Sequence, residues 1–372
     1  MDLVKITDFS LLRFSLPLKS EMQFGASRLN SRDGYILHLT DEHGNIGAGE
    51  IAPLIGFSEE SLDEACEDTA RLRFSVYQCD IPPHLEELSG GFERWIGKLR
   101  LCLSVRFGFE SAVLRLLARS KQISLSRLIS DTAVNVVSSQ GLLAGKAADI
   151  LLKVESYYAK GFRTFKVKVG RGEMMQEVAL LTEIRTRVPD DVVIRADANR
   201  AWDADSALRF LKEARSLGIA YIEEPARSWE ELETCCSEWR RDVHAPIALD
   251  EHLGQFTAET LPNIEAISTL IIKPSLFGVE ASAQMARRAN LLDKRVVYSS
   301  PFESSVGFAM TASLASAGHD SKSAHGFDAN SWLQSDLPGL SVRWNGPEIR
   351  LDQFVDMEDR IRWSELEEIT LD

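Results

Sequence analysis

The chain has 372 residues, 44% of them hydrophobic and 26% charged, with a formal net charge of −14. This is globular composition, with room for an eight-unit α/β barrel of about 250 residues and a smaller second domain. The acidic balance and the lack of a basic stripe argue against a nucleic-acid partner. No apolar run reaches the ~20 residues of a membrane span. An anionic substrate stays open, because a bound divalent cation inverts the local field.

In chain order, residues 1 to about 50 read as strands. Leu3 to Leu18 is apolar and β-branched, with Pro17 closing it, and Tyr35–Thr40 and Ile46–Glu50 flank the turn Asp41-Glu42-His43-Gly44-Asn45. Helical patterns follow over Glu59–Phe74, with Ser58 as N-cap, and over Phe92–Leu117 with a break. An antiparallel sheet followed by helices predicts an α+β capping domain over residues 1–115. After residue 134 short apolar runs alternate with amphipathic helices. The runs are Thr164–Val169, Val192–Ala196, Ala220–Ile222, Ile247–Leu249, Thr269–Ile272 and Val296–Tyr298; helices are expected at Glu173–Arg187, Ala204–Leu217 and Val279–Leu291. That rhythm predicts βα units in a parallel sheet. Six repeats without a G-x-G-x-x-G after the first strand favour a (β/α) barrel of about seven or eight units, over residues 116–330, rather than a doubly wound sheet. Residues 331–372 are irregular and end in an acidic tail expected to pack back on the cap. Five cysteines, an odd number with no C-x-x-C, and a start without a secretory signal fit a reducing, cytoplasmic setting.

The charged residues fall at the ends of the expected strands. The second strand ends in Lys166-Val167-Lys168, the third in Asp197-Ala198-Asn199, the fourth in Glu223-Glu224-Pro225, the fifth in Asp250-Glu251 and the sixth in Lys273-Pro274. Lys168, Asp197, Glu223, Asp250 and Lys273 are each about one βα unit apart, which puts them in one ring at the C-terminal mouth, where barrel active sites form. Three converging carboxylates would repel one another unless a cation sat among them. Oxygen ligands without His or Cys select a hard ion, so Asp197, Glu223 and Asp250 are expected to hold Mg²⁺, with Mn²⁺ able to substitute. Lys168 and Lys273 would face each other across it. Lysine accepts a proton only when neutral, and both the cation and the neighbouring Lys166 ammonium disfavour its charged form.

Each residue alone has a plain structural explanation. An acidic residue ending a strand is usually a turn former or helix cap, Lys-Val-Lys is ordinary alternation, and both prolines suit a first helical turn. Five such coincidences in register are a poor account. Asn199 is a candidate to face the substrate, His252 a weaker candidate beside Asp250, and His325 reads as a rim or surface imidazole. Trp202 reads as an anchor for the loop after the third strand.

The series Lys-x-Lys, Asp-Ala-Asn, Ile-Glu-Glu-Pro, Leu-Asp-Glu and Ile-Lys-Pro resembles the enolase superfamily, and a lysine on the far side resembles its muconate-lactonizing subgroup. Within that group, Gly49–Ser58, Asp197–Trp202 and Ser299–Gly307 are similar to the o-succinylbenzoate synthase family, and Arg32-Asp33-Gly34 fits that family's mobile cap loop. Two stretches depart from it: Leu54-Ile55-Gly56 replaces Leu-Pro-Gly, and Gly326-Phe327-Asp328-Ala329 is a loose match.

The resemblance implies a lyase of menaquinone biosynthesis. It implies the Mg²⁺-dependent dehydration of 2-succinyl-6-hydroxy-2,4-cyclohexadiene-1-carboxylate to 2-succinylbenzoate through an enediolate. Lys168 would remove the α-proton and return it to the leaving hydroxide, and Lys273 would stabilise the anion from the opposite face. Ser299, Ser300, Glu303 and Ser304 would meet the succinyl carboxylate, in part through backbone N–H groups at a helix start, with Arg32 and Asn199 as further contacts. An N-acylamino-acid racemase or a dipeptide epimerase would use the same lysine pair. The epimerase should carry an Asp-x-Asp clamp where this chain has Asp328-Ala329-Asn330. A non-catalytic scaffold is the remaining alternative, and five costly buried charges argue against it.

Overall fold

A computed structural model describes residues 4–24, 27–320, 323–341 and 346–371. Three antiparallel strands open the chain: β1 (Ile6–Phe24), β2 (Ser27–Asp41) and β3 (Ile46–Ile51). Asp41 closes the second hairpin, its Oδ1 accepting from the backbone N–H of His43 (2.9 Å) and Asn45 (2.8 Å). Next come α1 (Leu62–Val76), α2 (Gly91–Ile96), α3 (Leu103–Ser120) and α4 (Leu125–Ile129). Helix α3 lies directly on the sheet because Gly49 has no side chain; a Cβ there would run into the Gly108 carbonyl oxygen.

The second region is built from β4 (Val136–Ser139), β5 (Gly141–Leu143), α5 (Ala147–Ala159), β6 (Thr164–Lys168), α6 (Met174–Arg187), β7 (Val193–Asp197), α7 (Ala204–Ser216), β8 (Ile222–Glu223) and α8 (Trp229–Glu238). It continues with β9 (Ile247–Leu249), β10 (Ile267–Ile272), α9 (Val279–Leu291), β11 (Arg295–Tyr298), α10 (Ser305–Ala317) and β12 (Ala324–His325). Strands β5 to β11 form one seven-stranded sheet in chain order, all neighbours parallel. Between β9 and β10 the connection is a 3₁₀ turn, Glu251–Gln255, instead of an α-helix. The sheet curls. Tyr221, Ala248, Ile271 and Val297 pack on its inner face, while residues such as Phe165, Ile194 and Leu270 join the larger core. Beyond β11, Gly326 donates its N–H to the Tyr298 carbonyl (2.8 Å), and β12 pairs parallel with β4. Two last strands, β13 (Glu348–Arg350) and β14 (Glu367–Ile369), pair antiparallel with β4 and β1.

Several expectations need correcting. Strand β1 runs past Pro17 to Phe24, with a register shift between Pro17 and Met22, and β2 begins at Ser27. Arg32 and Asp33 therefore lie in a paired strand and not in a mobile loop. Helix α1 is capped by Ser61 with Glu64 in a reciprocal capping box, while the Ser58 hydroxyl accepts instead from Leu54 N–H (2.9 Å). Helix α3 runs without a break through residue 115 to Ser120. His325 is 1% exposed and far from a surface imidazole.

Candidate active site

Strand register brings the charged residues together. Lys168 pairs with Asp197 across β6 and β7, and Asp197 pairs with Glu223 across β7 and β8, so three side chains stand in line across the strand ends. Neighbouring strands are ~4.8 Å apart, which makes them direct neighbours. Asp250 follows β9, and Lys273 follows β10 on the far side. Lys168 Nζ donates to Asp197 Oδ2 (2.6 Å) and to Asn199 Oδ1 (2.7 Å). Lys166 Nζ donates to both oxygens of Glu223 (3.0 and 3.1 Å) and lies 2.9 Å from Asp197 Oδ2. Lys273 Nζ donates to Asp250 Oδ2 (2.6 Å).

The three carboxylates are nearly dry: Asp197 and Glu223 are 0% exposed and Asp250 is 7% exposed. Burial alone favours neutral lysine, yet Asp197 and Glu223 outweigh it and hold Lys166 protonated well above its ordinary range. Asp250 and Glu251 do the same for Lys273. Burial works against Asp197 too, but Lys166 and Lys168 keep it ionised far below the usual carboxylate range. Glu223 is pushed well up, first by burial and then by the charges of Asp197 and Asp250. Crowded carboxylates of this kind are relieved by a divalent cation, and the oxygen-only donors fit a hard one. Among the described residues, no three acidic, histidine or thiol groups are set around one point. Asp197 Oδ2, both Glu223 oxygens and Asp250 Oδ2 are turned to lysines instead. A cation would therefore replace lysine–carboxylate pairs and would not enter a ready-made cage.

The neighbouring acids, which the sequence shows only as the second member of each pair, order this ring. Glu224, fully buried with φ +45°, accepts at Oε1 from the backbone N–H of Asp250 (2.6 Å) and His252 (3.0 Å) and bonds to the His252 ring through Oε2. Glu251 Oε1 accepts from Asn199 Nδ2 (3.1 Å). Asn199 and Arg200 also have positive φ, so uncommon backbone clusters at the mouth, as it does at functional sites. Trp202, buried against Phe210 at a 4.4 Å ring separation, ties down the loop after β7. A cavity of about 750 Å³ opens between cap and strand ends, lined in part by Phe57, Arg200, Asp250, Glu251, Lys273 and Phe277.

The other expected contacts lie deeper. Ser299 is half-buried and donates to the Gly326 carbonyl (3.3 Å). Ser300 donates to Glu303 Oε2 (2.6 Å), and both are 1% exposed. The start of α10, expected to take a substrate carboxylate, already holds two protein ones. Glu50 Oε2 accepts from Ser304 N–H and Oγ, and Asp336 takes Ser305 N–H (3.1 Å). Arg32, 2% exposed, donates to the carbonyls of Ala52 and Pro53. Glu50 is the group that sequence reasoning missed; its partner Ser304 is 254 positions away.

Residues 149–351 match the family described as Enolase C-terminal domain-like, and residues 6–82 match the MenC N-terminal domain. The o-succinylbenzoate synthase of Vibrio cholerae serotype O1 (strain M66-2) is 31% identical over 341 residues, covering 90% of this chain and 88% of that protein. The chloroplastic protein PHYLLO of Arabidopsis thaliana is 30% identical over 345 residues; the match covers 82% of this chain but only 20% of that much longer protein. Two solved structures share the fold at 20% identity. The L-Ala-D/L-Glu epimerase of Bacillus subtilis, in a substrate-liganded complex, has a TM-score of 0.80 over 93% of this chain and 96% of its own. A dipeptide epimerase of Cytophaga hutchinsonii, complexed with Mg and the dipeptide D-Ala-L-Val, has a TM-score of 0.79 over 100% of both chains. Cap, curled parallel sheet, strand-end charges and these relatives agree: the chain belongs to the enolase superfamily and, within it, to the o-succinylbenzoate synthase family.

Proposed function

We propose that this chain is an o-succinylbenzoate synthase, removing water from 2-succinyl-6-hydroxy-2,4-cyclohexadiene-1-carboxylate in menaquinone biosynthesis. The observation that carries the reading is the pair Lys168 and Lys273, bonded to carboxylates from the β6 and β10 sides of one mouth. Asp197, Glu223 and Asp250 would hold Mg²⁺, which when bound neutralises the substrate carboxylate and the charge that develops beside it. Lys168 takes the proton from the carbon next to that carboxylate. The ring C–O bond then breaks, the departing hydroxide takes the same proton back from Lys168, and water and the aromatic ring result. Lys166, held protonated by Asp197 and Glu223, stays beside them as a second cation. Lys273 remains a cation facing the anion. We infer also that β12 closes the sheet as the eighth strand of a barrel, on the strength of its bonds to Tyr298 and β4. Five free cysteines suit a cytoplasmic setting, and no helix among the described residues is long and apolar enough to cross a membrane.

An epimerase would need an acidic clamp beyond the eighth strand. Asp328 is the one aspartate there, and its Oδ2 already accepts from Leu142 N–H (3.0 Å) and Tyr157 O–H (2.9 Å). The test is a direct assay. The diene absorbance should fall with Mg²⁺ present and stay constant with excess chelator. An N-succinylamino acid in D₂O should gain little α-deuterium. No turnover of the cyclohexadiene, with rapid deuteration and inversion of the amino acid, would replace this reading with a racemase.

A further inference from the structure

The cap and the loop after β11 meet through a buried carboxylate. Glu50 in β3 is 1% exposed, and its Oε2 accepts from Ser304 N–H (2.8 Å), Ser304 Oγ–H (2.5 Å) and Gly307 N–H (3.2 Å). The two N–H groups belong to the first turn of α10, where backbone donors have no partner within the helix and carry partial positive charge. Gly307 makes room for the carboxylate, since a Cβ there would come 2.8 Å from Glu50 Oε2.

Arg32 of β2 lies in the field of Glu50 and Glu303. Its Nη1 donates to Pro53 O (2.5 Å) and its Nη2 to Ala52 O. These carbonyls are the root of a tight turn. Phe57 N–H (2.9 Å) and Ser58 N–H (2.8 Å) both bond to Leu54 O, and Leu54 N–H bonds to Ser58 Oγ. At the tip, the Phe57 ring centroid lies 4.9 Å from Lys273 Nζ.

We propose that Glu50 and Arg32 are positioning residues, a buried hydrogen-bonded latch: Glu50 ties β3 to the first turn of α10, Arg32 holds the Ala52 and Pro53 carbonyls, and together they fix the cap turn Pro53–Ser58 and so set the Phe57 ring over the Lys273 side of the mouth. Neither group touches the substrate. They act through the turn, on the wall that the non-reacting part of the substrate meets. The proposal rests on the synthase reading for its kinetic readout alone.

The test uses Glu50→Gln, which keeps the shape, and Arg32→Lys, in case the first variant fails to fold. Circular dichroism checks folding and calorimetry checks Mg²⁺ affinity, which should match the parent because every expected ligand is on the barrel. Hydrogen exchange at Ser304, Gly307, Phe57 and Ser58 should quicken, a readout that needs no substrate. kcat/KM should fall by ~10–100-fold, chiefly through KM, as small misplacements of a binding wall do. A folded variant with a parental KM, or with unchanged exchange at Phe57 and Ser58, would overturn the latch. If the parent itself fails to dehydrate the cyclohexadiene, the synthase reading falls, while the exchange data still decide whether Glu50 holds the turn.

Discussion

Lys168 and Lys273 enter the mouth from strands at opposite sides of the sheet, and each bonds to a different carboxylate. The proposed reaction gives them different duties. Lys168→Ala should lower turnover by ~10²–10⁴-fold, the usual worth of a positioned acid–base group. Lys273→Arg keeps a cation that cannot accept a proton at neutral pH, so dehydration should be impaired but measurable. The diene absorbance follows both variants, and equal, total loss in both would refute the one-base scheme. These two lysines and the three acids were legible in the sequence because chemistry recurs there at one-unit spacing. What Ser304 and Arg32 bond to was not: Ser304 is held by Glu50, 254 positions away, and Arg32 by two backbone carbonyls, which carry no residue-type signal.

Strand β8 is only two residues long, yet it orders the end of β9 as well as its own. Its ladder partner fixes Glu223 beside Asp197, and the following residue turns back through positive φ to hold the Asp250–His252 turn. Glu224→Ala would leave two buried backbone N–H groups without an acceptor, at ~1–3 kcal/mol each. In the folded variant Mg²⁺ affinity should drop ~10–100-fold, as happens when the outer partners of a ligand are removed; a parental affinity by calorimetry would show that Asp250 needs no such support. The strand rhythm predicted β6 to β11 within a few residues, because apolar runs and helical periods alternate plainly there. The 3₁₀ turn after β9 and the two-residue β12 gave no periodic signal, being shorter than any window that periodicity can sample.

Across the whole molecule, buried acids make stability depend on pH in an unusual direction. Burial pushes Glu110 up to about 7, against the pull of Arg106, and Glu50 up to about 8, against the pull of Arg32, from ordinary values of 4.5. Between about pH 4.5 and these values the folded state binds protons that the unfolded state has released. The contribution is therefore full at the acid end and is lost as pH rises through about 7 and 8. Relative to Glu110→Gln, which does not titrate, the parent should lose stability between pH 5 and 8, by on the order of 1–3 kcal/mol. Thermal unfolding of both proteins over that range measures it, and a widening advantage for the parent would contradict the sign. The cap sheet raises a different matter, one of timing. Arg13 of β1 pairs with Glu367 of β14, 354 positions later. A nascent chain emerging at ~5–20 residues per second waits about 20–70 s for that partner. Through the synthesis of the entire parallel sheet, one side of β1 is an open hydrogen-bonding edge of the kind that recruits stray strands. Completion of the cap therefore waits until every strand of the parallel sheet has been made, and β1 keeps that open edge until β14 arrives.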